Sequence, residues 1–410
     1  MPNARRTLTA AAAERVCAAM FAPSEQLIGL ELEWPVHCEG DVTARPGAAE
    51  IGRAVRCRLP HASRITFEPG GQVELSTTPR RRVGDVLEAA RADEQVLRSE
   101  LAALGLAAET VAVDDRRPPA RVLEQGRYAA MEAFFAAQGN AGRWMMCSTA
   151  GTQVNVSHDA DDPRERWQIM HLIAPVLIAA FANSPGIGFD GTRWASVRQG
   201  IWWSIDKGRT RPVRTDTHLG RAWLDYALAA DVMFVSGQGP WGLDGMAVPP
   251  GLPFGAWMAN GHDVGWPTAD DLRYHLSTLF PPVRPRGWLE LRVLDALPDW
   301  IREVAALTVA TASTREAGRE LRARLRPPAR GPWLAAARHG LRHPGLLAAA
   351  RELFAVVREN LGRVSDRGEH ADLVEAYSRE YVNAGRMPGD DLGRGVDLRS
   401  AACAPALALR

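Results

Sequence analysis

Lysine is almost missing from this chain. Lys207 is the only one in 410 residues, so the 49 basic residues are otherwise all arginine. Any Schiff-base or phosphate-gripping lysine would have to be Lys207. Cysteine is scarce as well. Cys17, Cys38, Cys57, Cys147 and Cys403 are odd in number and scattered, and no C-x-x-C pair occurs. That argues against a disulfide framework and against a thiolate zinc site. Long apolar runs are absent too. The longest, Ile169 to Ala182, has 14 residues with His171 and Pro175 inside, too short to span a bilayer. The Ala-rich stretch after Arg5-Arg6 is interrupted by Glu14 and Arg15, so no signal peptide is expected, and a reducing cytoplasm is the expected setting. Net charge is only +1, which supplies no field to draw in nucleic acid or an anionic membrane. No Walker A motif is present, so any nucleotide must be held without one. The ten histidines show no ligand spacing; His158 and His262 alone fall near candidate sites.

What is present is core-forming material. Hydrophobic residues make up 46% of the chain, enough for one large domain or two intimately packed ones. Strand-like segments are few and short: IGLELEW at 28–34, ITFEPGGQVELS at 65–76, Val111–Val113, TQVNV at 152–156 and RGWLELRVL at 286–294. Helical spacing marks Thr9 to Phe21, Val83 to Leu104 with Gly105 as a stop, Tyr128 to Gln138, and a long apolar helix opened by Asp162-Pro163. A further helix is read over 193–209, and Thr268 caps another. Residues 39–64 read as a loop or irregular hairpin, and Ser236 to Gly265 as a long surface loop or lid. From Pro298 to about Ala384 the chain reads as helices broken at prolines, Pro327-Pro328 among them. Strands separated by helices without a βαβ rhythm favour α+β with a mostly antiparallel sheet over a doubly wound fold. The organisation expected is a sheet-and-helix core over 1–300, a helical region over 301–390 packed on it, and a mobile tail over 391–410. The one G-x-G-x-x-G match (Gly186, Gly188, Gly191) follows a helix rather than a strand, so it reads as a loop and not a dinucleotide fingerprint.

The strands repay a joint reading, because side chains alternate across a strand. Gly29, Glu31 and Glu33 share one face, with Leu30, Leu32 and Trp34 opposite. Gln72, Glu74 and Ser76 oppose Val73 and Leu75; Gln153 and Asn155 oppose Val154 and Val156; Trp288, Glu290 and Arg292 oppose Leu289, Leu291 and Val293. Each segment alone fits an ordinary sheet with one wet face. Together they do not. Glutamate is depleted in strands, and a solvated face mixes both signs. Here Glu31, Glu33, Glu68, Glu74 and Glu290 face one arginine, Arg292. Converging carboxylates about 5 Å apart repel by roughly 3 kcal/mol at an effective dielectric of 20. A cation must offset that, and oxygen-only ligands suit Mg²⁺ or Mn²⁺. Such ions complete their shell with substrate phosphates, which Arg292 could reach; its plainer role is as an ion-pair partner for Glu290. Trp194, Arg198, Ile201, Trp202 and Ile205 recur at helical spacing. A guanidinium on that buried stripe needs an anion, from the protein or from a substrate carboxylate. Arg209 could bind a carboxylate or satisfy terminal carbonyls of a helix.

These segments, G-L-E-L-E-W, E-P-G-G-Q-V-E-L-S, M-M-C-S-T-A-G-T-Q-V-N-V, A-N-S-P, W-A-S-V-R-Q-G-I-W-W-S-I-D-K-G-R-T and R-G-W-L-E-L-R-V-L-D-A-L-P, resemble the plant-type glutamate–cysteine ligase family, in family order from about residue 27 to 300. The resemblance is strongest to the actinobacterial branch that serves ergothioneine synthesis. It implies a glutamine-synthetase-like fold, a curved antiparallel sheet whose concave face is the active site. It also implies ATP-dependent joining of the glutamate γ-carboxyl to the amine of cysteine, in the cytoplasm. By the same resemblance Glu31, Glu33, Glu68, Glu74 and Glu290 would bind magnesium. Gln153 and Asn155 would sit on the same floor, Arg292 would contact the ATP phosphates, and Arg198, Trp202 and Arg209 would bind substrate. No lysine or thiol nucleophile is needed for such chemistry. Two other readings stay open: a carboxylate–amine ligase of looser amine specificity, and a metal- and nucleotide-binding homologue without turnover. A nucleic-acid or membrane partner has no support; oligomeric state is not legible.

Overall fold

A computed structural model describes residues 7–398, apart from 160, 236–244, 264 and 327–330. Its centre is a six-stranded sheet. The strands are β1 (Ile28–Trp34), β2 (Arg64–Phe67), β3 (Val73–Ser76), β4 (Gly151–Ser157), β5 (Val283–Pro285) and β6 (Trp288–Asp295), ordered β5–β6–β4–β1–β3–β2. Every pairing in it is antiparallel. The expected α+β architecture with an antiparallel sheet is therefore what the chain adopts.

One sheet face is aliphatic and closed. Leu30, Leu32, Val73, Leu75, Val154, Leu289 and Leu291 are buried, and the helices Val83–Ala103, Pro163–Ala180 and Asp299–Ala312 pack against the sheet. Burying such a side chain is worth about 1.5–3 kcal/mol, so this face fixes register, since a slip of one residue would turn every glutamate into the core. The helix at 163–180 begins as its sequence signals: Asp162 accepts hydrogen bonds from the Arg164 and Glu165 amides, and Pro163 stands at the first helical position. Helices between Asp299 and Tyr377 pack on one another and on Pro163–Ala180. No helix among the described residues is long and apolar enough to cross a membrane.

Several expectations need correction. Residues 39–64 hold a helix, Ala48–Ala54, entered through Glu50 accepting from the Gly47 amide. Val111–Val113 makes only a bridge from Val113 to Thr149, and the strand lies earlier, at Leu106–Ala108. The stretch 193–209 is not one helix. A short strand (Arg193–Trp194), a helix (Val197–Ser204) and a single turn (Lys207–Thr210) divide it, because Ser196 and Asp206 each cap a new start. In the described part of 236–265, Met246–Ala247 pairs with Phe234–Val235, and Phe254–Asn260 is a helix. Phe254 and Trp257 anchor it in the core, so that part is packed rather than a free lid. Of the expected tail, Val396–Asp397 pairs with Gly186–Ile187, and Arg394 bonds both oxygens of Asp115. The rest, 399–410 with Cys403, lies outside the described residues, as do Pro327-Pro328 and 236–244. Gly186, Gly188 and Gly191 belong to the small hairpin of Gly186–Ile187 with Arg193–Trp194, as the loop reading required.

Candidate active site

The register brings the polar residues of four distant segments onto one face. Glu33 stands opposite Glu74, Glu31 opposite both Ser76 and Gln153, and Asn155 opposite both Gly29 and Glu290. Thr66 faces Glu74 and Arg284 faces Glu290. This face is the floor of a cavity of about 830 Å³. Glu31, Glu33, Glu68, Glu74, Gln153, Asn155, Trp202 and Arg292 line it, and Glu290 lies in the floor, fully buried.

The E-P-G-G-Q motif has a mechanical purpose. Gly71 adopts φ +85°, a conformation that favours glycine. A Cβ on Gly70 would come within 2.3 Å of the Cys147 carbonyl oxygen. The two glycines thus let a tight turn press against the helix Ala141–Ser148. Gln72 locks it by donating to the carbonyls of Thr149 (2.9 Å) and Met146 (3.3 Å). Glu68 on one side of the turn and Glu74 on the other are thereby aimed at the same space. Oxygens of Glu33, Glu68 and Glu74 all lie within 4.8 Å of one another.

The hydrogen bonds fix each carboxylate. Glu33 accepts from the Gly151 amide (2.7 Å) and from Gln153 Nε2 (2.9 Å). Gln153 Oε1 in turn accepts from Arg292 (2.8 Å), so Gln153 links the acidic trio to the arginine. Glu74 accepts from Thr66 (2.6 Å) and Ser76 (3.1 Å), and Glu31 from Asn155 Nδ2 (2.8 Å). Burial pushes the Glu68 pKa up to about 8, reinforced by Glu74 and Glu33. Burial, then Glu290 and Glu74, push Glu31 up to about 8 as well. Glu33 is raised chiefly by burial, against the pull of Arg198. Together these make an all-oxygen donor set with no direct ion pair among the described residues, its charge offset only in part by Arg198 and Arg292 acting on Glu33, which fits a hard divalent cation and not zinc. Asn155 Oδ1 and Arg292 Nε are buried without a partner among the described residues, two further polar atoms free for a ligand.

Glu290 behaves oppositely. Arg284 grips both its oxygens (2.6 and 2.9 Å), and Arg286 and Arg292 each approach to 3.1 Å. Burial alone would raise its pKa; Arg284 and Arg292 reverse this and hold it well below the usual carboxylate range. For Arg292, burial would lower the pKa, but Glu290, Glu33 and Glu31 outweigh it and raise it. Its guanidinium lies 5.3 Å from the Trp202 ring centre and 5.8 Å from that of Phe280. A bulge aims it: between Leu291 opposite Val154 and Leu294 opposite Thr152, β6 carries one residue more than β4.

Two expected substrate-binding arginines lie elsewhere. Arg209 is fully buried and outside the cavity lining. It donates to Asp206 (2.9 Å), to the carbonyl and hydroxyl of Thr278 (3.1 and 2.8 Å) and to the Asp231 carbonyl. Four of its five N–H donors are used within the protein, the group is buried away from the cavity, and one carbonyl it satisfies ends the helix Ala269–Ser277. Arg198 is 1% exposed and also outside the lining; its counter-charges are Asp295 and Glu33, so it sits behind the floor and steadies Glu33. The sequence reading missed Thr66, Arg284, Arg286, Arg127 and Tyr128, all in the cavity wall. Only the R-P-R-G run before β6 carried a signal, as two arginines next to a strand already suspected. Cys17 and Cys147 are buried, and burial raises both thiols to about 12; neither can act as a thiolate. His158 is buried and driven down to about 4 by burial, with Nε2 against the Met20 carbonyl.

Comparison with known proteins bears on the whole chain. The family model for glutamate-cysteine ligase family 2 matches residues 27–397. The chain is 37% identical over 393 residues to glutamate–cysteine ligase EgtA of Mycolicibacterium smegmatis, covering 92% of this chain and 89% of that protein. It is 38% identical over 386 residues to glutamate–cysteine ligase EgtA of Mycobacterium tuberculosis H37Rv, covering 90% and 86%. The chloroplastic glutamate–cysteine ligase of Arabidopsis thaliana is 28% identical over 247 residues, 58% of this chain and 46% of that one. On these matches the chain belongs to glutamate–cysteine ligase family 2.

Proposed function

We propose that the protein joins the γ-carboxyl of L-glutamate to the amine of L-cysteine at the expense of ATP, through a γ-glutamyl phosphate, to supply γ-glutamylcysteine for ergothioneine or a similar small thiol. The observation that carries this reading is the Glu33–Glu68–Glu74 trio joined through Gln153 to Arg292 on one floor. A carboxylate resists attack by an amine because oxide is a poor leaving group; phosphorylating it supplies a good one. The protein's part is then positioning and charge neutralisation.

Glu33, Glu68 and Glu74 would hold Mg²⁺, or Mn²⁺, with Glu31 beside them in the cavity lining and Glu290 held by Arg284 in the floor. The metal, when bound, neutralises phosphate charge and fixes the triphosphate. Arg292, backed by Trp202 and Phe280 and held by Glu290 and Gln153, would meet the transferring phosphoryl group with its unpaired Nε. Gln153 and Asn155 would orient the carboxylates; Asn155 keeps a free Oδ1 for substrate. A carboxylate on the same floor, such as Glu31 beside Asn155, would accept the ammonium proton of the incoming amine once it is ionised.

The test is direct. The purified protein with glutamate, cysteine, ATP and Mg²⁺ should release ADP and form γ-glutamylcysteine, identified by mass. With hydroxylamine in place of cysteine it should form γ-glutamyl hydroxamate, the trapped acyl phosphate. ADP release without either product would remove the ligase reading, and equal rates with alanine and cysteine would favour looser amine specificity.

A further inference from the structure

Trp288 breaks the rule that large apolar side chains turn inward. It is 37% exposed and lines the mouth of the cavity. Trp266 is more exposed, at 51%, but lies outside that cavity. The ring at 288 is placed with some care. Gly287, at φ +87°, makes the turn between β5 and β6 and donates to the Met20 carbonyl (3.0 Å), while the Arg286 amide donates to the Trp288 carbonyl (2.8 Å). The Arg286 guanidinium stands 5.3 Å from the ring centre and is itself anchored on Glu290 at 3.1 Å. The indole is thus steadied from one side yet left uncovered.

Its neighbours on the floor are small. Ser157 stands directly opposite Trp288, and Gly29 lies one strand further, opposite Asn155. The atoms nearest to where a Gly29 Cβ would be belong to Thr77 and Pro79, no closer than 3.7 Å. The outer row of the floor is therefore a low shelf beside one large aromatic. Charge is graded along the strands. The acidic trio and Arg292 occupy the inner end; the outermost paired row, Trp288 with Ser157, carries no ionised side chain, and Gly29 lies one row in, level with Asn155 and Glu290. Arg292 is four residues on from Trp288, about 13 Å at strand spacing, comparable with the reach of an extended nucleoside triphosphate from base to terminal phosphate.

We propose that Trp288 is the stacking platform for the adenine base of ATP, with Gly29 and Ser157 as the floor of the base subsite. This rests on the ligase reading above, and chemistry selects the occupant. Glutamate and cysteine have no ring, so adenine is the one planar π-system among the three substrates. A base laid on Trp288 points its phosphates inward, towards Arg292 and the trio. Stacking on an indole is sequence-tolerant, so the subsite should favour purines over pyrimidines more than adenine over guanine.

Calorimetric titration with ATP and Mg²⁺, together with steady-state kinetics, tests this on the wild type, Trp288→Ala and Trp288→Phe. Trp288→Ala should weaken ATP binding about tenfold or more, the loss expected for one stacked base. The kinetic change should fall in KM for ATP, with KM for glutamate and cysteine little moved. Trp288→Phe keeps a π-face and should recover most of the affinity. Inorganic tripolyphosphate, which has no base, should inhibit wild type and Trp288→Ala equally. Unchanged ATP affinity in Trp288→Ala, or an equal loss for tripolyphosphate, would overturn the shelf. A wild type that binds ATP, loses that binding in Trp288→Ala, and yet makes no γ-glutamylcysteine would overturn the ligase reading and leave the shelf standing. A wild type that binds no ATP would overturn both.

Discussion

The two ends of the cavity floor carry the same side chain and treat it in opposite ways. At one end Glu33, Glu68 and Glu74 crowd together with no direct arginine ion pair among the described residues, and burial plus mutual repulsion raises Glu68 to about 8. At the other, Glu290 is surrounded by Arg284, Arg286 and Arg292 and is held far below the ordinary range. Burial penalises both; what separates them is whether the protein itself supplies the counter-charge. The arginine end is electrostatically complete in the protein alone. The trio is complete only with a cation. That difference divides the floor into a preformed ion cluster and a site that waits for metal and nucleotide, with Gln153 and Arg292 as the join.

The sharpest way to break this comparison is Glu74→Gln. It removes one charge from the trio while keeping size and hydrogen bonds to Thr66 and Ser76. If the trio holds a catalytic cation, worth several kcal/mol to the transition state, turnover should fall on the order of 10³-fold or more, with the melting temperature of the metal-free protein unchanged or higher. Full activity at ordinary Mg²⁺ concentrations would remove Glu74 from the site. Arg292→Lys is expected to come next. Lysine keeps the charge but cannot contact Gln153, Glu290 and a phosphate at once. Losing one transition-state donor costs about 10²–10³-fold in kcat; a change below threefold would make Arg292 a bystander.

Glu290→Gln probes the complete end. It leaves Arg284, itself buried, without its anion. Breaking a buried pair by removing one partner costs about 3 kcal/mol or more, a shift of roughly two powers of ten in the folding equilibrium, read from urea denaturation. The two glutamate variants should therefore separate: Glu74→Gln loses activity and keeps stability, Glu290→Gln loses stability. A Glu290→Gln protein of normal stability that needs far more Mg²⁺ would place Glu290 among the metal ligands and erase the distinction between the two ends.

The acidic end was the more legible in the sequence, for a physical reason. Period-two alternation reports a side chain's face directly, so Glu31, Glu33, Glu74, Gln153 and Asn155 could be assigned to one surface before any pairing was known. The glycines of E-P-G-G-Q announced a turn that brings Glu68 round to the same side. The arginine end was less legible because its logic is tertiary. Arg284 sits in a three-residue strand, too short to show a period. The bulge that aims Arg292 is one extra residue whose existence depends on β4. Arg198 and Arg209 were recognised as cations needing anions; Asp206 was in reach as the cap of the turn that carries Arg209, but Asp295, the anion of Arg198, is set by packing at the end of another element. A guanidinium's need for a partner is visible in a sequence; the partner's identity is a property of the fold.

The smallest effect expected is also the one that sees both ends at once, through pH. In the metal-free protein Glu31 and Glu68 titrate near 8, raised chiefly by burial, against an ordinary value of 4.5. Between those values the folded state binds more protons than the unfolded one. Stability must then fall as pH rises from about 4.5 through about 8, and level off above. Glu290, held low, has the opposite sign: its contribution is present above the unfolded value and is lost only in acid. A saturating divalent cation binds the ionised trio, so it should remove the decline above neutrality while leaving the acid limb untouched. Thermal melts from pH 5 to 9, in chelator and in excess MgCl₂, should therefore diverge as pH rises, by about 2 °C or more at the alkaline end. Parallel curves would mean that the trio's charges are already compensated within the protein, and the two ends of the floor would then be alike.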